Sequence, residues 1–180
     1  MAAGYRYIGM DHFALPDDEL AQAYDEGTMQ RNFMGFTTRA GADMLAFGVS
    51  AIGFVGGLYA QNVKKLTRYG AALEAGQFPV ERGFLLSADD RARRDVIGGL
   101  MCRDHIDKRV IELKHEIEFD KYFAEELERL KPMVEDRLLT MSEQSLDVTF
   151  LGRLLVRNIA MVLDAYLRRP GRQRMFSRTI

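Results

Sequence analysis

Apolar residues recur along this chain at two spacings, which together predict most of its secondary structure. Repeats at three and four residues are typical of helices that bury one face. The predicted helices lie within residues 63–76, 88–101, 107–131 and 151–166. Short runs rich in aromatic and branched side chains predict strands. The predicted strands cover residues 5–14, 80–86, 138–141 and 146–149. This pattern favours a mainly α-helical fold with a minor β component.

Capping residues predict where several of these helices begin and end. Ser87 can cap a helix, and Asp90 stands three residues later, as in a capping box. Asn62 and Asp120 can each cap a further helix, because their short side chains accept hydrogen bonds from free backbone N–H groups. Pro132 is predicted to limit the helix before it, since proline lacks the N–H donor and clashes with the preceding turn.

Side-chain spacing also predicts which polar residues face solvent. In the helix that follows Ser87, Arg93 and Arg94 are predicted to point outward as part of a charged surface. His105 and His115 lie ten residues apart, which does not match a tight helical metal-binding pair. We therefore interpret both histidines as surface residues.

The first predicted strand, residues 5–14, ends close to a helix and suggests a βα unit. Asp11 and His12 stand near its end, and Pro16 suits the first turn of the following helix. If this strand belonged to a parallel barrel, Asp11 and His12 would lie at its C-terminal mouth, where such barrels carry their chemistry. A purely structural hydrogen-bonded pair is the alternative interpretation.

The segment of residues 31–62 combines large apolar side chains with many glycines, which is unusual for a core element. Glycine weakens helices and strands but permits positive φ and a close backbone approach. We interpret the segment as a wall that faces a ligand. A buried turn–strand–turn packed on its own neighbours is the alternative. The glycines are Gly35, Gly41, Gly48, Gly53, Gly56 and Gly57.

Two strand-like runs flank the polar turn Ser142-Glu143-Gln144-Ser145 and predict a β-hairpin after a group of helices. This order resembles a winged-helix arrangement. A DNA-binding wing carries basic residues that meet phosphates, and this turn has none. The net charge of −1 also argues against nucleic-acid binding. We interpret the arrangement as scaffold, and the arginines of residues 168–178 as a solvated end.

Composition limits the class of protein further. With 47% apolar and 28% charged residues, the chain is typical of a globular domain. No apolar run reaches the length of a membrane span, and the first residues lack a signal-peptide layout. We expect a cytoplasmic protein with no membrane partner. The single cysteine, Cys102, cannot form an internal disulfide or hold a metal cluster that needs several thiolates.

Several strings in this chain together resemble one enzyme family, in that family's order and spacing. They are GYRYIGMDHFALPDDELA, RNFMGFTT, GVSAIGFVGGLYAQN, DDRARRDVI, GRLLVRNIAMVLDAYLRR and FSRTI. The chain resembles the C-terminal part of the oxygen-independent coproporphyrinogen III oxidases, which are radical S-adenosylmethionine enzymes. The resemblance implies that residues 1–62 are the last βα unit of an incomplete (β/α) barrel with a glycine-rich cavity wall. Residues 63–180 would form a helical lid domain with a winged-helix-like hairpin.

The resemblance also implies a reaction and its cofactors. In this family, two propionate side chains of coproporphyrinogen III are oxidatively decarboxylated to vinyl groups, giving protoporphyrinogen IX for haem biosynthesis. The reaction uses S-adenosylmethionine and a [4Fe-4S] cluster, held by a CxxxCxxC motif in an N-terminal barrel that this chain lacks. We therefore expect the isolated chain to be inactive and prone to self-association. A tetrapyrrole-binding or regulatory module that retains the lid is the alternative.

Site residues follow from the same resemblance. Ile52 and Phe33 match positions near a second S-adenosylmethionine, and Asp11 and His12 match a strand end that lines the substrate cavity. Met34 stands where the family commonly has glutamine. A thioether cannot replace the donors and acceptor of an amide, so we expect Met34 to fill volume there, and a reorganised site is the alternative.

Overall fold

Short antiparallel hairpins and medium-length helices build residues 3–168, the part of the chain that the computed structural model describes. The strands are β1 Arg6–Gly9, β2 His12–Ala14, β3 Gln30–Asn32, β4 Gly35–Thr37, β5 Ile52–Val55, β6 Leu58–Asn62, β7 Val80–Leu85, β8 His105–Asp107, β9 Leu139–Met141 and β10 Ser145–Val148. The helices are α1 Glu19–Asp25, α2 Leu66–Glu74, α3 Ala88–Arg103, α4 Lys108–His115, α5 Phe119–Tyr122, α6 Ala124–Glu135, α7 Phe150–Leu154 and α8 Val156–Leu163, followed by a 3-10 turn at Ala165–Arg168. The fold mixes helices with small antiparallel sheets. Residues 169–178, most of the arginine-rich end, lie outside the described part.

The strands form small sheets in which every pairing is antiparallel. Two of these sheets are single hairpins, β1–β2 and β3–β4. The others have three strands, in the orders β5–β6–β7 and β8–β10–β9. Among residues 3–168, no helix has both the length and the apolar character needed to cross a bilayer.

Residues 5–14 form the β1–β2 hairpin, so the prediction of one strand was wrong. Tyr7 pairs with Phe13, and Met10 takes a left-handed conformation with φ 54° where the chain reverses. Asp11 therefore lies at the hairpin turn. The following helix α1 begins at Glu19, where the Asp18 side chain accepts a 2.8 Å hydrogen bond from the Leu20 backbone N–H. Membership of a parallel barrel stays a prediction.

The glycine-rich segment forms two hairpins, and two of its glycine positions have clear physical reasons. Gly56 and Gly57, with φ 56° and 86°, make the two-residue turn between β5 and β6. Such turns require positive φ, which glycine adopts without steric cost. A Cβ at Gly53 would lie 2.8 Å from the Met44 carbonyl oxygen, so the glycine permits a close backbone approach.

The main core lies between α3, the β8–β10–β9 sheet, α6 and α8. Val96 and Leu100 of α3 are fully buried, as their periodicity predicts, and Leu146 of β10 packs among them. The predicted hairpin around residues 142–145 is confirmed as β9–β10, with Leu146 paired to Met141. On its other side, β10 pairs with β8, so this hairpin is part of a sheet. The likeness of this region to a winged-helix scaffold stays a prediction.

A second core joins the β1–β2 hairpin and α1 to helix α3. Ile8, Ala21 and Met29 are buried there together with Cys102. Burial raises the pKa of the Cys102 thiol to about 11, so this thiol stays protonated near neutral pH. This core therefore joins the two predicted units, residues 1–62 and residues 63–180, through apolar contacts.

Three predicted helix boundaries were wrong, two of them because the capping side chain makes a tertiary hydrogen bond instead. The Asn62 amide donates to the carbonyl oxygens of Ala46 and Gly48 at 3.3 and 2.9 Å, and α2 begins only at Leu66. Asp120 lies inside α5 and accepts a 2.6 Å hydrogen bond from Lys108 Nζ. Helix α6 runs through Pro132 to Glu135, because its packed face and the N–H groups after the proline keep the helix intact.

Several predictions of side-chain exposure and of helix extent were also wrong. The Arg93 side chain is only 15% exposed and forms ion pairs, and the His115 side chain is 11% exposed and lies 2.8 Å from Asp95. Leu66 and Leu113 belong to the apolar repeats that predicted buried helix faces within residues 63–76 and 107–131, but they are 73% and 72% exposed. Ile106 lies in β8 rather than in a helix, and the predicted helix at 151–166 breaks into α7, α8 and a 3-10 turn.

The capping box at the start of α3 is confirmed, and it allows a stability prediction. The Asp90 N–H donates to Ser87 Oγ at 3.1 Å, and the Ser87 N–H donates to Asp90 Oδ2 at 2.9 Å. We expect Ser87→Ala to lower the free energy of unfolding by about 1 kcal/mol, because the helix N-terminus loses its acceptor. Urea unfolding checks this, with Ser87→Thr as the matched control that keeps the hydroxyl. Equal losses in both variants would contradict the capping role.

Candidate functional site

A large cavity lies where the strands of the glycine-rich segment meet helix α3 and the residues after it. Its volume is about 1270 Å³. The cavity is named the aromatic groove here, because aromatic rings and arginines dominate its lining. The aromatic lining residues are Phe33, Phe54, Tyr59, Phe84 and Tyr166, and the cationic ones are Arg31, Arg39, Arg93, Arg94, Arg103 and Lys114.

Strand pairing brings three of these rings together on one face of a sheet. Phe54 pairs directly with Tyr59 across β5 and β6, and Tyr59 pairs with Phe84 across β6 and β7. Direct partners in an antiparallel sheet share a face, so the rings form a row. The ring centroids of Phe54 and Tyr59 are 4.5 Å apart, and Phe33 packs edge-on to Tyr59 at 5.4 Å.

Arg94 covers this row from helix α3. Its Cζ lies 4.1 Å from the ring centroid of Phe54 and 5.9 Å from that of Tyr59. The prediction that Arg94 is exposed is confirmed, but its guanidinium lies on an aromatic surface. Sequence reasoning missed Tyr59, Phe84 and Arg94 as groove residues. The FVGGLY string could have indicated that Phe54 and Tyr59 pair across a glycine turn.

Phe33 and Met34 form the two-residue loop of the β3–β4 hairpin, and the structure places them differently. Asn32 pairs with Gly35, and the Met34 N–H donates to the Asn32 side-chain oxygen at 2.8 Å. Phe33 lines the aromatic groove. Met34 projects from the loop, is 87% exposed, and lies outside the groove as the described residues define it.

Ile52 is the first residue of β5 and is half-buried. It pairs with Gln61 of β6. Side chains two residues apart on a strand share a face, so Ile52 lies on the same face as Phe54. Ile52 is therefore a neighbour of the ring row, although among residues 3–168 it is not one that lines the groove.

Asp11 and His12 lie beside the β3–β4 hairpin and outside the groove lining. His12 Nδ1 is 3.1 Å from Asp11 Oδ1, and the His12 ring packs edge-on to Phe36 at 4.9 Å. A Cβ at Gly35 would lie 3.5 Å from His12 Nε2. The pair thus contacts the hairpin whose loop carries Phe33 and Met34.

His105 lines the groove and has an oriented ring. Its Nδ1 lies 2.6 Å from Asp147 Oδ1, and Ser145 Oγ donates to the other Asp147 oxygen at 2.6 Å. Burial opposes ionisation of Asp147, but the hydrogen bonds from Ser145 and His105 hold the pKa of this carboxyl below its ordinary value. The His105 side chain is half-exposed, as predicted for a surface residue.

The residues that the structure describes contain no cluster of three or more His, Cys, Asp or Glu side chains arranged to hold a metal ion. Cys102 is buried with its pKa raised. These groups do not fit an iron–sulfur cluster.

Comparison with known proteins finds close relatives of this chain. Residues 86–155 match the HemN C-terminal domain. The chain is 48% identical over 178 residues to the oxygen-independent coproporphyrinogen III oxidase of Salmonella typhimurium, with 99% of this chain aligned. It is 49% identical over 179 residues to the enzyme of the same name from Pseudomonas aeruginosa. Over nearly its whole length, this chain is therefore similar to part of the oxygen-independent coproporphyrinogen III oxidases.

The fold agrees with this similarity to the oxidases. A solved structure of coproporphyrinogen III oxidase (HemN) from Escherichia coli, described as a radical SAM enzyme, matches with a TM-score of 0.89 and 47% identity. The match covers 92% of this chain and 38% of that structure. The chain spans 39% of the length of the Salmonella and Pseudomonas oxidases. The resemblance stated from the sequence strings is confirmed.

Proposed function

We propose that this chain is the C-terminal segment of an oxygen-independent coproporphyrinogen III oxidase. The observation that carries the proposal is the 48% identity over 99% of the chain to an enzyme of that name. The whole protein would convert two propionates of coproporphyrinogen III to vinyl groups by oxidative decarboxylation and yield protoporphyrinogen IX.

S-Adenosylmethionine and a [4Fe-4S] cluster would supply the radical chemistry in the whole protein. One buried cysteine does not fit the cluster, so we infer that its thiolates come from an N-terminal barrel outside this chain. This segment would cover the cavity, exclude water and present aromatic and cationic side chains to the bound molecules. On this proposal, the isolated segment is inactive.

We infer that Phe33, Met34 and Ile52 contact a second S-adenosylmethionine. The exposed Phe33 ring beside Tyr59 offers an apolar, stacking surface of the kind that bound cofactors favour. Met34 sits on the same loop and Ile52 on the same sheet face as Phe54. Asp11 and His12 would line the adjoining substrate cavity, and their contact with the β3–β4 hairpin supports that placement.

The same proposal divides the chain into two units. Residues 1–62 would be the end of the barrel with its cavity wall, and residues 63–180 would be a lid. Large apolar side chains stand exposed near the boundary, as expected where the missing barrel would pack. Phe47 is 84% exposed and Phe78 is 93% exposed. Such surface favours association, so we propose that the isolated chain self-associates.

A chimeric enzyme tests the proposed function. The C-terminal part of the Escherichia coli oxidase is replaced with this chain, and the product is measured by chromatography after oxidation to the porphyrin. We expect protoporphyrin at a rate within about tenfold of the parent enzyme, since a tenfold change is only ~1.4 kcal/mol of barrier.

Two controls accompany the chimera. The Escherichia coli enzyme truncated before the replaced segment, and the isolated chain, are both expected to form no product. A folded chimera with intact cluster absorbance and no protoporphyrin would refute the proposed function. Activity of the isolated chain would refute the need for the missing barrel.

A further inference from the structure

Four arginines that line the aromatic groove have no acidic partner among the described residues. Among residues 3–168, Arg31, Arg39, Arg94 and Arg103 line the groove without an ion pair to any carboxylate. The other two cations of the lining are paired, Arg93 with Asp89 and Glu126, and Lys114 with Asp95. The groove thus holds four guanidinium groups that have no ion-pair partner among residues 3–168.

Arg94 is held in a geometry that leaves its hydrogen-bond donors available. Its guanidinium lies over the Phe54 ring, with 4.1 Å between Cζ and the ring centroid. Stacking uses the face of a guanidinium and leaves its in-plane N–H groups free. These N–H groups form a fork that matches a carboxylate with two hydrogen bonds.

Arg31 supplies an independent observation on the same groove. Its Nη1 is buried and has no hydrogen-bond partner among the described residues. Its Cζ lies 5.2 Å from the centroid of the Phe36 ring. Leaving a charged donor buried without a partner costs free energy, so such a group calls for an acceptor from a bound molecule.

The size and lining of the groove define the class of ligand. Its volume is about 1270 Å³. Pockets that bind drug-sized molecules reach about 1,000 Å³, so the groove suits a large ring system better than a small acid. Aromatic rings favour an apolar ring system, and the unpaired arginines favour carboxylates. A tetrapyrrole with propionate side chains carries both features.

We propose that Arg31 and Arg94 each bind a propionate carboxylate of the tetrapyrrole substrate, whose rings lie against Phe54, Tyr59 and Phe84. This inference rests on the proposed function and adds to it the residues that select a carboxylated ring. The two arginines come from different parts of the fold, β3 and α3, so each would hold a separate carboxylate.

Binding of coproporphyrin III to the purified 180-residue chain tests this proposal, with porphyrin fluorescence as the readout. We expect saturable binding that Arg31→Met or Arg94→Met weakens by about tenfold or more, the usual effect of losing a hydrogen bond to a charged group. The tetra-amide of coproporphyrin III, in which every carboxylate is neutral, is expected to bind weakly and equally to all forms. Arg94→Lys, which keeps the charge without the fork, is expected to fall between wild type and Arg94→Met.

Arg129→Met is the matched control, because Arg129 is exposed on α6 and does not line the groove. Its affinity is expected to equal that of the wild type, with circular dichroism confirming that every variant is folded. The proposal is overturned if coproporphyrin does not bind, if the tetra-amide binds equally well, or if both arginine variants retain full affinity. If the chimera is active but Arg31→Met and Arg94→Met leave coproporphyrin binding unchanged, only the assignment of the groove is overturned. An inactive chimera with arginine-dependent porphyrin binding would overturn only the proposed function.

Discussion

Gly152→Ala is expected to lower the free energy of unfolding by about 3 kcal/mol or more. A Cβ at this position would lie 1.8 Å from the Leu138 carbonyl oxygen and 2.7 Å from the Leu138 carbonyl carbon. Both are backbone atoms, so no side-chain rotation can relieve the overlap. Overpacking of a buried site costs ~1–3 kcal/mol even where side chains can adjust.

The clash would separate two elements that also share hydrogen bonds. The Thr149 N–H and the Thr149 hydroxyl both donate to the Leu138 carbonyl oxygen, at 3.0 and 3.2 Å. Helix α7 therefore starts directly against the beginning of β9. Moving α7 outward to admit a methyl group would break these bonds as well.

Urea unfolding followed by circular dichroism measures the effect of Gly152→Ala. Gly98→Ala is the matched control, because nothing lies within 4 Å of a Cβ built on Gly98 in helix α3. Alanine is favoured over glycine inside a helix by about 1 kcal/mol, so this control is expected to be neutral or stabilising. A loss below about 1 kcal/mol for Gly152→Ala would contradict the close approach seen between α7 and β9.

Arg153→Met is expected to cost about 3 kcal/mol, because Arg153 joins the N-terminal hairpin to the helical region. Its Nη2 donates to the carbonyl oxygens of Tyr7 and Ile8 at 3.1 and 3.0 Å. Its Nε lies 3.0 Å from Asp104 Oδ2, with the two side chains only 15% and 18% exposed. Removing one partner of a buried ion pair typically costs ~3–5 kcal/mol, because the other charge stays buried alone.

Aromatic rings enclose the same ion pair. The Arg153 Cζ lies 4.9 Å from the Tyr7 ring centroid and 5.1 Å from that of Tyr24. The Tyr24 hydroxyl donates a 2.5 Å hydrogen bond to Asp104. Burial and this hydrogen bond raise the pKa of Tyr24 to about 12, so Tyr24 remains a donor at neutral pH. Three elements that are distant in sequence thus depend on one guanidinium.

A double-mutant cycle isolates this interaction. Arg153→Met, Asp104→Asn and the double variant are compared by urea unfolding, and we expect a coupling energy of at least about 1 kcal/mol. Arg129→Met, an exposed change, is expected to stay within about 0.5 kcal/mol of wild type. Strict additivity of the two single changes would show that the ion pair does not stabilise the fold.

Local signals predicted the elements that depend on neighbouring residues. The capping box of Ser87 and Asp90, the buried Val96 and Leu100, and the β9–β10 hairpin all follow from spacing within a few residues. These features need only side-chain periodicity and the hydrogen-bonding capacity of a cap, which are properties of the local sequence.

Predictions failed where a distant part of the chain supplied the partner. Asn62 bonds to the backbone of residues 46 and 48 instead of capping a helix, and Asp120 pairs with Lys108. His115 is partly buried and lies 2.8 Å from Asp95. A propensity for caps or for exposure cannot anticipate such partners, because it carries no information about long-range contacts.

The sequence by itself determined the family resemblance, the glycine-rich segment as a candidate wall, and the periodic core of helix α3. Only the tertiary structure decided that Phe54, Tyr59 and Phe84 form one row, that Arg94 covers it, and that Arg153 joins distant elements. The physical reason is that spacing along a chain sets which face a side chain occupies. Which residues then meet across that face depends on strand pairing and helix packing between distant segments.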